Sequence, residues 1–235
     1  MKVLAMPVAF NEEKKIGSVV DRFVPGIVDK IIVVDDGSTD GTADEVRKRG
    51  VEVVSHDSQH GVGAAIRTGI RYAQQNGFDV LVVLAGNDKD RPAEIPELLR
   101  PIREQNFDFV QGSRYLGGNR GGNMPLYRRL ATRLHPLLFS IACGRKVTDS
   151  TNGFRAFRLS VFNDARINID QSWLDQYELE PYIMFKAIKL GCKFAEVPVT
   201  KIYPPKKLGY TKMKPLTGWW SILRPIFLLA LGIRR

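Results

Sequence analysis

Short, nearly continuous apolar runs alternate with amphipathic stretches through the first half of the chain. Val3 to Pro7, Ile31 to Val34, Val51 to Val54, Val80 to Leu84 and Phe109 to Gln111 are brief and rich in β-branched residues. Runs of that kind read as strands covered on both faces of a parallel sheet. Between them, Glu13–Phe23, Thr42–Arg49, Gly63–Gln75 and Ala93–Glu104 carry apolar residues at helical spacing. The alternation predicts an α/β, doubly wound, mostly parallel sheet with right-handed crossovers. Ligands of such sheets bind beyond the carboxyl ends of the strands, so the chemistry is to be sought in those loops.

The second half breaks this rhythm. Residues 117–123 read GGNRGGN, a glycine-rich loop. Leu126 to Ala142 has the pattern of an amphipathic helix with basic residues on one side, and Trp173 to Leu190 reads as a further helix before a strand at Phe194–Val199. Lys201 to Lys214 is a loop with Pro204, Pro205 and five lysines. The tail from Trp219 to Ile233 is apolar but broken by Arg224 and Pro225, leaving Ile226 to Ile233 uninterrupted. That run is far short of the roughly 20 residues needed to span a bilayer. It predicts an interfacial or core-packing helix.

A chain of 235 residues suits one large α/β domain. Cys143 and Cys192 stand far apart without metal-ligand spacing, so they read as reduced core thiols. The chain passes from Met1 and Lys2 straight into a strand, so no signal peptide is expected. Charge is more informative once located. Phe109 to Thr148 holds seven Lys or Arg and no acid, and Val197 to Arg235 eight and no acid, within a net charge of +10. A basic second half predicts a surface facing an anionic partner: lipid head groups, lipid phosphate or nucleic acid. Solvated lysines with no partner are the plain alternative.

Two loops concentrate polar chemistry. Met6 to Glu13 (MPVAFNEE) follows the first strand, which a proline should end; Asn11, Glu12 and Glu13 open the next helix, where N-capping alone would also favour them. Val33 to Thr42 (VVDDGSTDGT) sets Asp35 and Asp36 past the second strand, where carboxylates can accept hydrogen bonds from a ribose or a base N–H. The pair Gly61 and Gly63 lacks the Walker lysine and does not follow the first strand, so neither a P-loop nor a dinucleotide fingerprint applies.

Together these motifs resemble the family 2 glycosyltransferases, and among them the dolichyl- or polyprenyl-phosphate sugar synthases, from Met6 to about Lys212. The resemblance implies a GT-A type fold, with residues 1–115 as the nucleotide-sugar half, 116–214 as the acceptor half and 215–235 as a C-terminal helix. It implies an inverting hexosyl transfer from a UDP- or GDP-sugar, such as UDP-glucose or GDP-mannose, to a lipid phosphate. The enzyme would then be cytoplasmic, peripheral on the cytoplasmic membrane face. By resemblance, Pro7, Ala9, Asn11, Glu12, Asp35, Asp36, Ala85 and Gly86 would line the nucleotide-sugar pocket. The family's Asp-x-Asp-x-Gln metal motif falls on Ala85 to Lys89, where this chain reads AGNDKD. Both aspartates are missing, which puts Mg²⁺ or Mn²⁺ in doubt. Asn87, Asp88 and Asp90 are the remaining candidate ligands; alternatively Lys89 offers a point charge to the diphosphate.

Downstream, Gly112 to Tyr115 (GSRY) matches a family motif and makes Arg114, with Lys89 and Asn87, a catalytic candidate. Arg128 and Thr132 match the phosphate-holding Arg-x-x-x-Ser pair, four residues apart on one helical face. Asp149 to Arg158 (DSTNGFRAFR) brings Arg155 to the acceptor side, and Lys206, Thr211 and Lys212 match a mobile basic loop. A phosphate acceptor needs no strong base, in keeping with the lack of a motif histidine other than His60. A saccharide hydroxyl acceptor would need one, for which Asp175 or Glu178 are candidates. A nucleic-acid module is disfavoured by the lack of aromatic-interleaved basic motifs, and a degenerate, inactive transferase is the remaining alternative.

Overall fold

The computed structural model describes all residues except 118–125, 203–216 and 235. The expected strands appear as β1 (Val3–Ala9), β2 (Lys30–Asp35), β3 (Glu52–Ser55), β4 (Val80–Ala85), β5 (Phe109–Ser113) and β7 (Phe194–Pro198). Helices α1 (Glu13–Asp21), α2 (Thr42–Arg47), α3 (Val62–Gln75) and α4 (Ile95–Gln105) cross between the first of them. With β6 (Arg155–Arg158), the seven-stranded sheet runs β3-β2-β1-β4-β6-β5-β7. Strand β6, which the sequence pattern did not indicate, is antiparallel to both β4 and β5. Four residues with an arginine at each end give no apolar period, so only pairing defines it. The architecture is a GT-A-like α/β fold.

Core side chains divide between the two faces of the sheet. Leu4, Met6, Ile32, Leu81 and Phe109 pack on one side with α3, while Val3, Ala5, Val33, Val82 and Val110 pack on the other with α1 and α4. Successive strand residues point to opposite faces, so near-continuous apolar runs are what two covered faces require. Gly69 lets α3 lie directly on β1, since a Cβ there would stand 1.7 Å from Met6 Sδ.

Two expectations need correction. Pro7 does not end β1: it is buried within the strand, in register with Leu84 of β4, and the strand continues to Ala9. Trp173 to Leu190 is not one helix. A short 3₁₀ turn at Ser172–Leu174 precedes α6 (Leu179–Lys189), because the intervening backbone is used elsewhere: the Asp175 carbonyl accepts the Ala64 N–H at 3.0 Å, at the start of α3. The amphipathic stretch forms α5 (Leu126–Cys143), and the tail forms α7 (Thr217–Ala230) against α5 and α6. No helix among the described residues is long and apolar enough to cross a membrane.

Candidate active site

A cavity of about 330 Å³ opens beyond the carboxyl ends of β1, β2 and β4, where the parallel topology places a ligand site. Val8, Ala9 and Glu12 line it from β1 and its loop, Asp36 from β2, and Ala85, Asn87 and Lys89 from β4. Arg114, Arg155, Glu180 and Lys201 close the far side.

The β1 and β2 loops are tied to one another. Asn11, at a φ of 51°, accepts the Thr39 N–H on its Oδ1 at 2.8 Å, while its own N–H donates to Ser38 Oγ at 2.8 Å. It thus braces the DDGST turn and does not cap α1, where Glu12 occupies the cap position without a side-chain cap. Glu12 donates its N–H to Thr42 Oγ1 at 2.7 Å, and its carboxylate pairs with Lys15 at 2.9 Å. Asp35, buried, accepts the Ser38 hydroxyl and does not line the cavity. Asp36 does line it, and its carboxylate gathers His56 Nδ1 at 2.8 Å, the His60 N–H at 3.0 Å and the Gly61 N–H at 2.9 Å. A carboxylate so occupied shapes the pocket wall. His56, which no motif flagged, is fixed on its other side by Thr68 Oγ1 at 2.9 Å.

The two glycines singled out in the sequence serve close approach. Gly61 has φ +112°, and a Cβ on Gly63 would stand 2.0 Å from the Leu174 carbonyl oxygen. They bring residues 174–176 against α3, and Gln176 and Tyr177 onto the cavity. Asp175 and Glu178, the candidate bases for a hydroxyl acceptor, are engaged by Arg67 at 2.7 Å and Arg224 at 2.6 Å, and neither lines the cavity.

Arg114 is 2% exposed and grips Asp149 with Nε to Oδ2 at 2.6 Å and Nη2 to Oδ1 at 2.7 Å. Burial pushes the Asp149 carboxyl up, but the charge and hydrogen bonds of Arg114 outweigh it and hold the group below its ordinary value. Arg155, expected at the acceptor, is also buried; its Nη2 lies 3.0 Å from Glu180 Oε1, and burial lowers its pKa. Thr132 is buried in α5 with its Oγ1 2.5 Å from the Tyr115 hydroxyl, and it does not line the cavity. The Arg128 side chain, Lys206, Thr211 and Lys212 lie outside the described residues.

Of the three candidate metal ligands in the β4 loop, two are already engaged. Asp88 is drawn to Arg22, and Asp90, 1% exposed, accepts the Ala85 N–H at 3.0 Å and Lys201 Nζ at 2.8 Å. The two carboxylates therefore do not converge with Asn87, whose buried Oδ1 has no partner among the described residues. No group of three His, Cys, Asp or Glu side chains able to hold a metal occurs among the described residues. One neutral oxygen is a poor set for a hard divalent cation, which takes several oxygen ligands. The residues present do not fit the ion.

Comparison with known proteins fixes the family. The description "Glycosyl transferase family 2" matches residues 7–166. The chain belongs to this family. It is a glycosyltransferase. The undecaprenyl-phosphate mannosyltransferase of Micrococcus luteus is 30% identical over 219 residues, covering 91% of this chain and 88% of that protein. The dolichyl-phosphate hexose transferase of Haloferax volcanii is 29% identical, covering 96% and 92%. Among solved structures, glucosyl-3-phosphoglycerate synthase from Mycobacterium tuberculosis, in complex with Mn²⁺, UDP and phosphoglyceric acid, superposes with a TM-score of 0.71 at 22% identity, covering 98% of this chain and 78% of that one. That likeness bears on the fold.

Proposed function

We propose that this glycosyltransferase moves a hexose, with inversion, from a UDP- or GDP-sugar onto a polyprenyl phosphate at a membrane surface. The observation that carries the reading is the cavity beyond β1, β2 and β4, walled by the braced NEE and DDGST loops on one side and by basic residues on the other. The donor nucleotide lies against the first wall. The acceptor phosphate enters from the side of Arg114, Arg155 and Lys201. A phosphate oxygen, already anionic, attacks the anomeric carbon as the bond to the nucleoside diphosphate breaks, so no general base is required. The engagement of Asp175 and Glu178 in ion pairs favours this acceptor over a saccharide hydroxyl.

The outer face of α5 supports the membrane location. Leu130, Leu134, Leu137 and Ile141 are each more than half exposed and fall at helical spacing on one stripe. Arg133, Arg145 and Lys146 border it, and Trp220 and Phe227 of the adjoining α7 are also exposed. An apolar stripe edged with cations and without acids suits an anionic bilayer surface. The test is transfer of label from UDP- and GDP-hexoses to polyprenyl phosphate in detergent. Transfer to a free saccharide, with none to the lipid, would replace this acceptor by a hydroxyl.

A further inference from the structure

The cavity rests on paired charges, and one pair stands where the family's metal motif would be. Lys201 reaches in from the end of β7 and donates to Asp90 Oδ1 at 2.8 Å and to Asn152 Oδ1 at 2.9 Å. The backbone fixes this juxtaposition, since the Ile202 N–H donates to the Lys89 carbonyl at 2.9 Å and staples the end of β7 to the β4 loop. Lys89, 5% exposed, and Lys201 both line the cavity beside Ala85 and Asn87. An ammonium has three donors, and the two carbonyl-type contacts of Lys201 use two of them. A diphosphate leaving group needs positive charge where its own charge develops, and fixed ammonium groups in a partly buried site supply it without reorganising.

On the reading that the donor is a nucleoside diphosphate sugar, we infer that Lys89 and Lys201 bind its diphosphate in place of a divalent cation. Asp90 and Asn152 are then positioning residues, which orient Lys201 through the hydrogen bonds that they accept from it. The two lysines come from segments more than a hundred positions apart, so the substitution of the metal is distributed between the β4 loop and the end of β7. Asn87 lines the same cavity and carries no charge, so by itself it cannot replace the two lost carboxylates.

Titration calorimetry of the full chain with UDP and GDP, in EDTA and in excess Mg²⁺ or Mn²⁺, tests this. The expected result is a dissociation constant in EDTA within about threefold of that with metal. Lys89→Met, and the double change Lys201→Met with Asp90→Asn, should each weaken the diphosphate by about ten- to a hundredfold, the range for a charge-assisted hydrogen bond. The double change removes both halves of a buried pair, so no unpaired carboxylate is left to unfold the chain. Binding of uridine or guanosine, which lack phosphate, should stay unchanged in both variants, and Lys89→Arg should restore part of the loss. Nucleotide binding that vanishes in EDTA, returns with Mn²⁺ and survives Lys89→Met would overturn the inference while leaving the transferase reading intact. Failure of every nucleoside diphosphate to bind under any condition would overturn both.

Discussion

At the scale of single residues, the acids of the candidate site are defined by what already holds them. Asp36 organises His56 and two loop amides, Asp90 holds Lys201, and Asp149 clamps Arg114. Asp149 is fully buried, so replacing it strands a guanidinium that is itself 2% exposed. Removing one partner of such a pair costs about 3–5 kcal/mol. Asp149→Asn should therefore lower stability by that order at pH 7, as read by chemical denaturation. The sign with pH follows from the depressed value. The folded pKa lies below the ordinary 3.8, so the contribution is present above pH 3.8 and is lost as pH falls through the folded value. The variant should show a flatter stability profile below pH 3.8 than the parent; an identical acid limb in both would mean the pair contributes nothing.

At the scale of elements, two helices carry distinct duties. The start of α3 is pressed against residues 174–176, and Gly63 leaves no room for a side chain there. Gly63→Val should destabilise by at least the 1–3 kcal/mol usual for overpacking, because the obstructing atom is a backbone carbonyl and cannot swing away. It should also weaken nucleotide binding, since Gln176 and Tyr177 move with that segment. Helix α5 instead presents its stripe outward. Leu134→Glu with Leu137→Glu alters exposed positions only, so stability should stay within the small range of surface changes, about 0.5 kcal/mol each. Flotation with anionic vesicles should drop sharply. Unchanged flotation in the double variant would remove α5 from the membrane contact.

At the scale of the whole molecule, one mostly parallel sheet sets the cavity along the carboxyl ends of its strands. The loops after β1, β2 and β4 come from the first 90 residues, while Arg114, Arg155 and Lys201 approach from later in the chain. A ligand in the cleft therefore ties both halves together, and its binding energy appears as global stability. At one hundred times its dissociation constant, UDP or GDP should add about 2.7 kcal/mol, measured as a rise in melting temperature. No rise with either at millimolar concentration would remove the main support for the donor class. With acid-free basic segments spread over α5 and the C-terminal region, binding to anionic vesicles is expected to weaken as salt rises, by about 1 kcal/mol per basic residue near the surface.

Periodicity and local turn chemistry were enough to specify the doubly wound sheet, six of its strands and the loops after β1, β2 and β4 that wall the cavity. These follow from short-range rules: strands covered on both faces are apolar throughout, and loops past their carboxyl ends collect the polar residues. Against the motif of the family that the chain resembles, the loss of the metal carboxylates at Ala85 and Asn87 was likewise legible. Tertiary structure decided the remainder. Strand β6 exists through pairing with β4 and β5, and α6 starts late because the backbone before it serves α3. Above all, the partners of the acids could not be read from spacing. Asp90 meets Lys201 across 111 positions and Arg67 meets Asp175 across 108. Whether a carboxylate is a ligand, a base or a strut depends on which charge the fold sets within hydrogen-bond reach, and no local pattern in the chain encodes that distance.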